Sequence, residues 1–180
     1  MELGDETLVQ RAQAGDGDAF ACLLERHYDR IFRLSFALLG SKADAEDLAQ
    51  DICAALPGKL AGFQGRSKVT TWLYRITVNA AHDHRRKQKT RHRAAAGWGE
   101  TERLRRAENE DKQREIAWLH DAMNDLTPEL RETLALVLGA EMTHAQAARA
   151  LDIGEGTVSW RMSEAKKRLR ALARNEERIR

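Results

Sequence analysis

Asp44, Glu46, Asp47 and Asp51 form an acidic block. Clustered carboxylates of that kind suit a basic partner. Further along, Arg85, Arg86, Lys87, Lys89, Arg91 and Arg93 crowd together with only Asp83 nearby, and Arg161, Lys166, Lys167, Arg168 and Arg170 crowd again. Two separate basic stretches suit a polyanion contacted at two places. The formal net charge of +2, from 30 Lys and Arg against 28 Asp and Glu, hides this segregation. Immediately before the first basic stretch come Trp72, Tyr74, Arg75 and Asn79. Aromatic rings and a side-chain amide beside cations suit unstacked bases and their phosphates. The plainer alternative makes Trp72 and Ile76 core residues and the basic run a solvated face.

Bond-making chemistry has little to work with. His82 and His84 stand two apart, so on a helix they point away from each other and cannot share a metal as an i,i+4 pair does. Cys22 and Cys53 form no CxxC pair, which argues against a disulfide framework and against a four-ligand zinc site; buried free thiols are expected instead. The expectation is a protein that is not an enzyme and uses no cofactor or metal. No apolar run approaches the roughly 20 residues of a membrane span. The acidic start, Met-Glu-Leu-Gly-Asp-Glu, is unlike a secretory signal, so a cytoplasmic location is expected.

The elements that would hold these groups read as all-α. In 180 residues both prolines sit at edges and the glycines cluster, leaving long stretches free to be helical. Phe20, Leu24, Ile31, Leu34 and Leu38, with His27 on the same stripe, predict a helix from about 18 to 39 that Gly40 ends. Ser41 is a fitting N-cap for a second helix carrying Leu48, Ile52 and Leu56, and Pro57 is expected to stop it. The stretch 58–68 reads as a loop, and Trp72, Leu73, Ile76 and Ala80 mark the inner face of a helix that runs into the basic cluster. The two-signed charges and glycines of 94–112 read as a flexible linker between a first domain, 1–93, and a second, 113–180. The second domain opens with Ile116, Leu119 and Met123, restarts at Thr127-Pro128, continues through Leu134, Val137 and Leu138, and pauses at Gly139.

The most specific local pattern follows. Thr143 and Gln146 make a capping box before Ala147, Ala148 and Leu151; Asp152-Ile153-Gly154-Glu155-Gly156 forms a turn; Thr157 opens a basic helix to about Ala173. That is a helix-turn-helix, whose second helix can present its first turns to a major groove. A hairpin that merely packs is the alternative, and the basic residues after the turn weigh against it.

In this order the motifs resemble the extracytoplasmic-function sigma factors of bacterial RNA polymerase. The resemblance rests on Leu8 to Arg11, Asp18 to Phe20, Asp44 to Asp51, Trp72 to Arg86 and the helix-turn-helix. It implies two small helical domains, the first binding the clamp of core RNA polymerase (beta and beta-prime subunits) and opening the −10 element of promoter DNA, the second reading the −35 element. It assigns Asp44, Asp47, Leu48, Gln50 and Asp51 to the polymerase. It assigns the loop 61–68, with Phe63, Gln64, Arg66 and Lys68, and then Arg75, Asn79, Arg85 and Arg86, to the −10 region. Thr157, Ser159, Trp160, Arg161, Ser163, Glu164 and Lys167 match positions facing the −35 groove. An anti-sigma factor is the implied regulator. Cys53 stands where the family usually carries phenylalanine, and Pro57 is unexpected there. Ser159 and Glu164 stand where members often have Arg or Lys, so the resemblance leaves the −35 base sequence open but not the role; Glu164 can accept from cytosine N4, and Trp160 faces either the groove or the core. The stretch from Thr127 to Leu172 also resembles the LuxR-type helix-turn-helix, which makes a one-component transcription regulator the rival reading.

Overall fold

The computed structural model describes residues 3–94, 118 and 121–177, and among these there is no strand. The chain is all-α, as its pattern predicts. Apart from Ala94, the expected linker lies outside the described residues, as do Ile116 and Leu119.

Four helices form the first unit. Helix α1 (Asp5–Gln13) is mostly polar, burying Leu8 and Val9. It is fastened to α2 (Gly17–Leu39) by Asp5, which accepts from Arg26 Nη1 at 2.8 Å and pairs with His27 Nε2 at 2.8 Å. His27 is 1% exposed, so its place on the apolar stripe is explained by this bond. The stripe itself sits one position away from the expected one near its start: Ala19 and Leu23 are buried, while Phe20 and Leu24 lie at the rim. Asp16 caps α2 through Ala19 N at 2.9 Å, and Gly40 ends it at φ 74°.

Helix α3 (Lys42–Leu60) begins at Ser41, whose hydroxyl accepts from Asp44 N, and buries Leu48, Ile52 and Leu56. Pro57 does not stop it. The helix continues to Leu60, which is 2% exposed, and Gln13 Nε2 donates to the carbonyls of Leu60 and Phe63 at 2.9 Å each. Burial of one more leucine and a side-chain cap thus outweigh the lost proline N–H. Helix α4 (Val69–Ala94) turns Val69, Leu73, Thr77, Val78 and Ala81 inward. Of the expected inner face only Leu73 is fully buried; Trp72, Ile76 and Ala80 pack at its edge.

In the second unit, residues 121–124 are helical and lead to Thr127, where Pro128 opens α5 (Pro128–Leu134). That helix runs on as a π-turn, Ala135–Gly139. The widened turn carries Leu138 outward, 58% exposed, where the pattern placed it in the core. Helix α6 (His144–Leu151) carries the expected capping box, and Asp152 closes it in the left-handed region at φ 57°. Helix α7 (Glu155–Glu177) starts two residues before Thr157 and buries Val158, Met162 and Ala165.

The units touch: α6 packs on α4, and α5 with its π-turn packs on α2. Buried apolar side chains of both form one hydrophobic cluster. Cys22 is exposed and Cys53 half-buried, correcting the expectation of two buried thiols; burial pushes the Cys53 thiol up.

Candidate nucleic-acid interface

Asp47, Gln50 and Asp51 are all exposed on α3, and Leu48 lies beneath them at 3% exposure, holding the helix to the core. They line a groove of about 520 Å³ whose other wall is α4, with Asn79, Asp83 and Lys87. Asp44 is turned toward α4, accepting from Gln88 Nε2 at 3.3 Å with His84 Nε2 at 3.4 Å. The two histidines part as their spacing requires, His84 toward Asp44 and His82 toward Glu132.

On α4, Arg75, Asn79, Asp83 and Arg86 are exposed along one side, the last two paired at 3.0 Å. Arg85 is not on that side. Its Nη1 lies 3.3 Å from Glu132 Oε1, and its Nη2 donates to the carbonyl of Leu38. In the loop before α4, Gln64, Arg66 and Lys68 are exposed, whereas Phe63 is half-buried with its ring 4.8 Å from that of Trp72, tilted by 48°. The loop is therefore anchored at Phe63 and open beyond it. Burial pushes the Tyr74 hydroxyl up, so it stays protonated beside the Trp72 turn.

Helix α7 shows Thr157, Ser159, Trp160, Ser163 and Lys167 to solvent. Trp160, 64% exposed, faces out and not into the core. Ser159 Oγ is 2.9 Å from His144 Nδ1, and Glu164 Oε1 accepts from Arg168 Nε at 3.1 Å. Arg161 is half-buried; its charge, after the backbone amide and the Thr127 hydroxyl, helps hold the Glu129 carboxyl below its ordinary value.

Four residues that fasten these elements escape a reading of the sequence. Gln13, Arg131, Glu132 and His144 each bond to a segment distant in the chain, and only the Thr143–Gln146 capping box hinted that His144 begins a helix beside the recognition turn.

Residues 23–91 match the family described as Sigma-70 region 2, and residues 122–171 match Sigma-70, region 4. The chain is 31% identical over 172 residues to the ECF RNA polymerase sigma factor SigM of Mycobacterium tuberculosis, covering 95% of this chain and 85% of that protein. The chain belongs to the ECF sigma factors. RNA polymerase sigma factor NccH of Alcaligenes xylosoxydans xylosoxydans is 29% identical over 96% of both chains. The match to SigW of Bacillus subtilis is 35% identical but local, 49% of this chain and 48% of that one. The fold is also that of CnrH in its complex with the cytosolic domain of CnrY, with TM-score 0.74 and 24% identity over 95% of this chain and 97% of that one. A LuxR-type regulator is set aside by the region 2 match, which places a sigma domain ahead of the helix-turn-helix. As a sigma factor, the protein is a transcription initiation factor, and among the described residues no helix is long and apolar enough to cross a membrane.

Proposed function

We propose that this sigma factor, acting in the cytoplasm and without catalysis of its own, brings core RNA polymerase to promoters through two surfaces and helps open the −10 element. The reading is carried by the groove between α3 and α4, where exposed Asp47 and Asp51 stand opposite Asn79. Carboxylates on its outer wall fit a basic helix of the polymerase. Arg75, Asn79 and Arg86, with the open loop at Gln64, Arg66 and Lys68, then lie beside the polymerase-bound edge, where a melted strand can be held by amide, cation and ring. The exposed face of α7, Thr157 to Lys167 with Arg161 at its rim, is free to enter the −35 groove.

Supporting the domain division, the two family matches fall within 1–93 and 113–180, on either side of 94–112. An anti-sigma factor is the partner this reading adds, since related proteins CnrH and RpoE have structures with CnrY and the anti-sigma factor NepR.

Run-off transcription with core polymerase and a promoter library tests the function. Selective transcripts that depend on adding this protein support it. Equal transcription with and without the protein, across the library, rejects it.

A further inference from the structure

A cavity of about 470 Å³ lies between α2, Tyr74 of α4 and the turn after the π-helix, and it shares no lining residue with the groove between α3 and α4. Its inner surface is apolar, with Leu34 and Ala135 each 4% exposed. The polar groups are divided by sign: Arg30 and Arg33, one turn apart on α2, line one wall, and Glu141 lines the other. Tyr74 is within electrostatic reach of both Arg30 and Glu141.

Two of these residues have no use within the fold. Tyr74 is only 9% exposed, yet among the described residues its hydroxyl has no hydrogen-bond partner, where a buried phenol normally finds one. Glu141 stands in the left-handed region at φ 52°, a conformation that suits glycine. The turn there is closed by Met142 N donating to the Leu136 carbonyl at 3.1 Å, a bond that glycine at 141 would serve as well. The Glu141 side chain is exposed and makes no ion pair with a described residue. A strained backbone thus holds a carboxylate at a cavity mouth with nothing in the fold to receive it. Across the cavity, Arg30 Nη1 lies 3.3 Å from His27 Nδ1, and Arg33 is unpaired among the described residues.

We propose that this cavity is a binding site for a free acidic amino acid, whose two carboxylates meet Arg30 and Arg33 and whose ammonium meets Glu141. The match is one of charge: two guanidiniums and one carboxylate in the wall, two carboxylates and one ammonium in the ligand. The Tyr74 hydroxyl donates to a ligand carboxylate oxygen, and the ligand's methylenes lie on Leu34 and Ala135. A plain dianion satisfies the arginines but is repelled by Glu141, so the carboxylate selects against it. The volume falls within the roughly 300–1,000 Å³ of small-molecule sites.

Calorimetric titration of the full chain tests this, with L-glutamate, L-aspartate and glutarate, which is glutamate without its ammonium, as probes. The wild type should bind at least one of the two amino acids saturably, with Kd at or below about 1 mM, and glutarate about tenfold more weakly than glutamate. Tyr74→Phe keeps the ring and its packing, and Arg33→Gln changes an exposed side chain; each should weaken binding of the amino acid about tenfold. Glu141→Gly should relax the turn and raise the unfolding midpoint while erasing the preference for glutamate over glutarate, a combination that unfolding cannot produce. No saturable binding of either amino acid by the wild type overturns the site, and so does equal binding of glutamate and glutarate. Unchanged affinity in both Tyr74→Phe and Arg33→Gln, or a preference that survives Glu141→Gly, overturns it as well. None of these readouts involves transcription, so the result is independent of the function proposed above.

Discussion

His144 Nδ1 and Ser159 Oγ, 2.9 Å apart, tie the start of α6 to the second turn of α7. On the proposed −35 reading, Ser159 would meet DNA with its hydroxyl already engaged, and His144 would act as a positioning residue for α7. Replacing His144 by Ala should change base preference at the pair nearest Ser159 while lowering stability by only about 0.5–1.5 kcal/mol, the net worth of one hydrogen bond. A −35 selection compared with wild type checks it; identical preferences would leave the bond a structural one.

Trp160 and Glu164 stand one helical turn apart on the same helix but differ in what holds them. Trp160 is 64% exposed and has little burial to lose, so Trp160→Ala should leave stability within about 0.5 kcal/mol and weaken −35 binding by about 1–3 kcal/mol if the ring contacts a base. Glu164 neutralises Arg168. Glu164→Ala should free that guanidinium for phosphate, raise non-specific affinity, and relax preference at one base pair if the carboxylate accepts from a cytosine. Binding titrations on matched and mismatched sites separate the two effects.

Asp47 and Asp51 are exposed, so their reversal to Lys can be read without a stability artefact. The double variant should melt as the wild type does and lose a few kcal/mol of affinity for core polymerase, as expected when desolvated interface charges are reversed. A pull-down titration against core measures the loss, and unchanged affinity would move the polymerase contact elsewhere.

Pro57 lies inside α3 on its exposed side, where the missing N–H costs the helix a bond. Pro57→Ala should therefore raise stability, by up to about 3 kcal/mol on the helix-interior scale. Denaturant unfolding gives the midpoint; a lower midpoint would mean that proline's stiffening of the unfolded chain dominates.

The contrast between Pro57 and Thr143 shows what the sequence makes legible. The capping box at Thr143 and Gln146 closes within three residues, and Ser41 does the same for α3, so local spacing determines both. Pro57 is also a local signal, but Leu60 and Gln13 overrule it from the tertiary structure. The candidate site divides the same way. The exposed row Arg75, Asn79 and Arg86 follows from helical period, whereas Arg85, one residue from Arg86, is turned to Glu132, 47 residues away. No periodicity marks Glu132 as buried, because a carboxylate in an amphipathic helix reads as a solvent position until its partners are known. The outward Leu138 is missed for a related reason: a π-turn adds a residue and shifts the face that a period of 3.6 assigns.

The Asp5–His27 bond makes the first unit sensitive to acid. Burial comes first and pushes the His27 imidazole below its ordinary value of 6.5, with Asp5 pulling the other way. Burial also acts to raise the Asp5 carboxyl, but Arg26 and His27 outweigh it and hold Asp5 below its ordinary 3.8. In both groups the unfolded chain takes up its proton at a higher pH than the folded one, so stability falls as pH falls. The His27 contribution is lost first, as pH drops through 6.5, and the Asp5 contribution follows below 3.8. Unfolding midpoints between about pH 7.5 and about 5.5 should therefore decline, and His27→Gln should flatten that decline relative to wild type. Asp5→Asn removes the one influence that raises the His27 value, so its loss over the same interval should be larger than in wild type. It should also lower stability at neutral pH by about 1.5–3 kcal/mol, the worth of hydrogen bonds to a charged group. If His27→Gln keeps the full wild-type slope, the titrating group lies elsewhere.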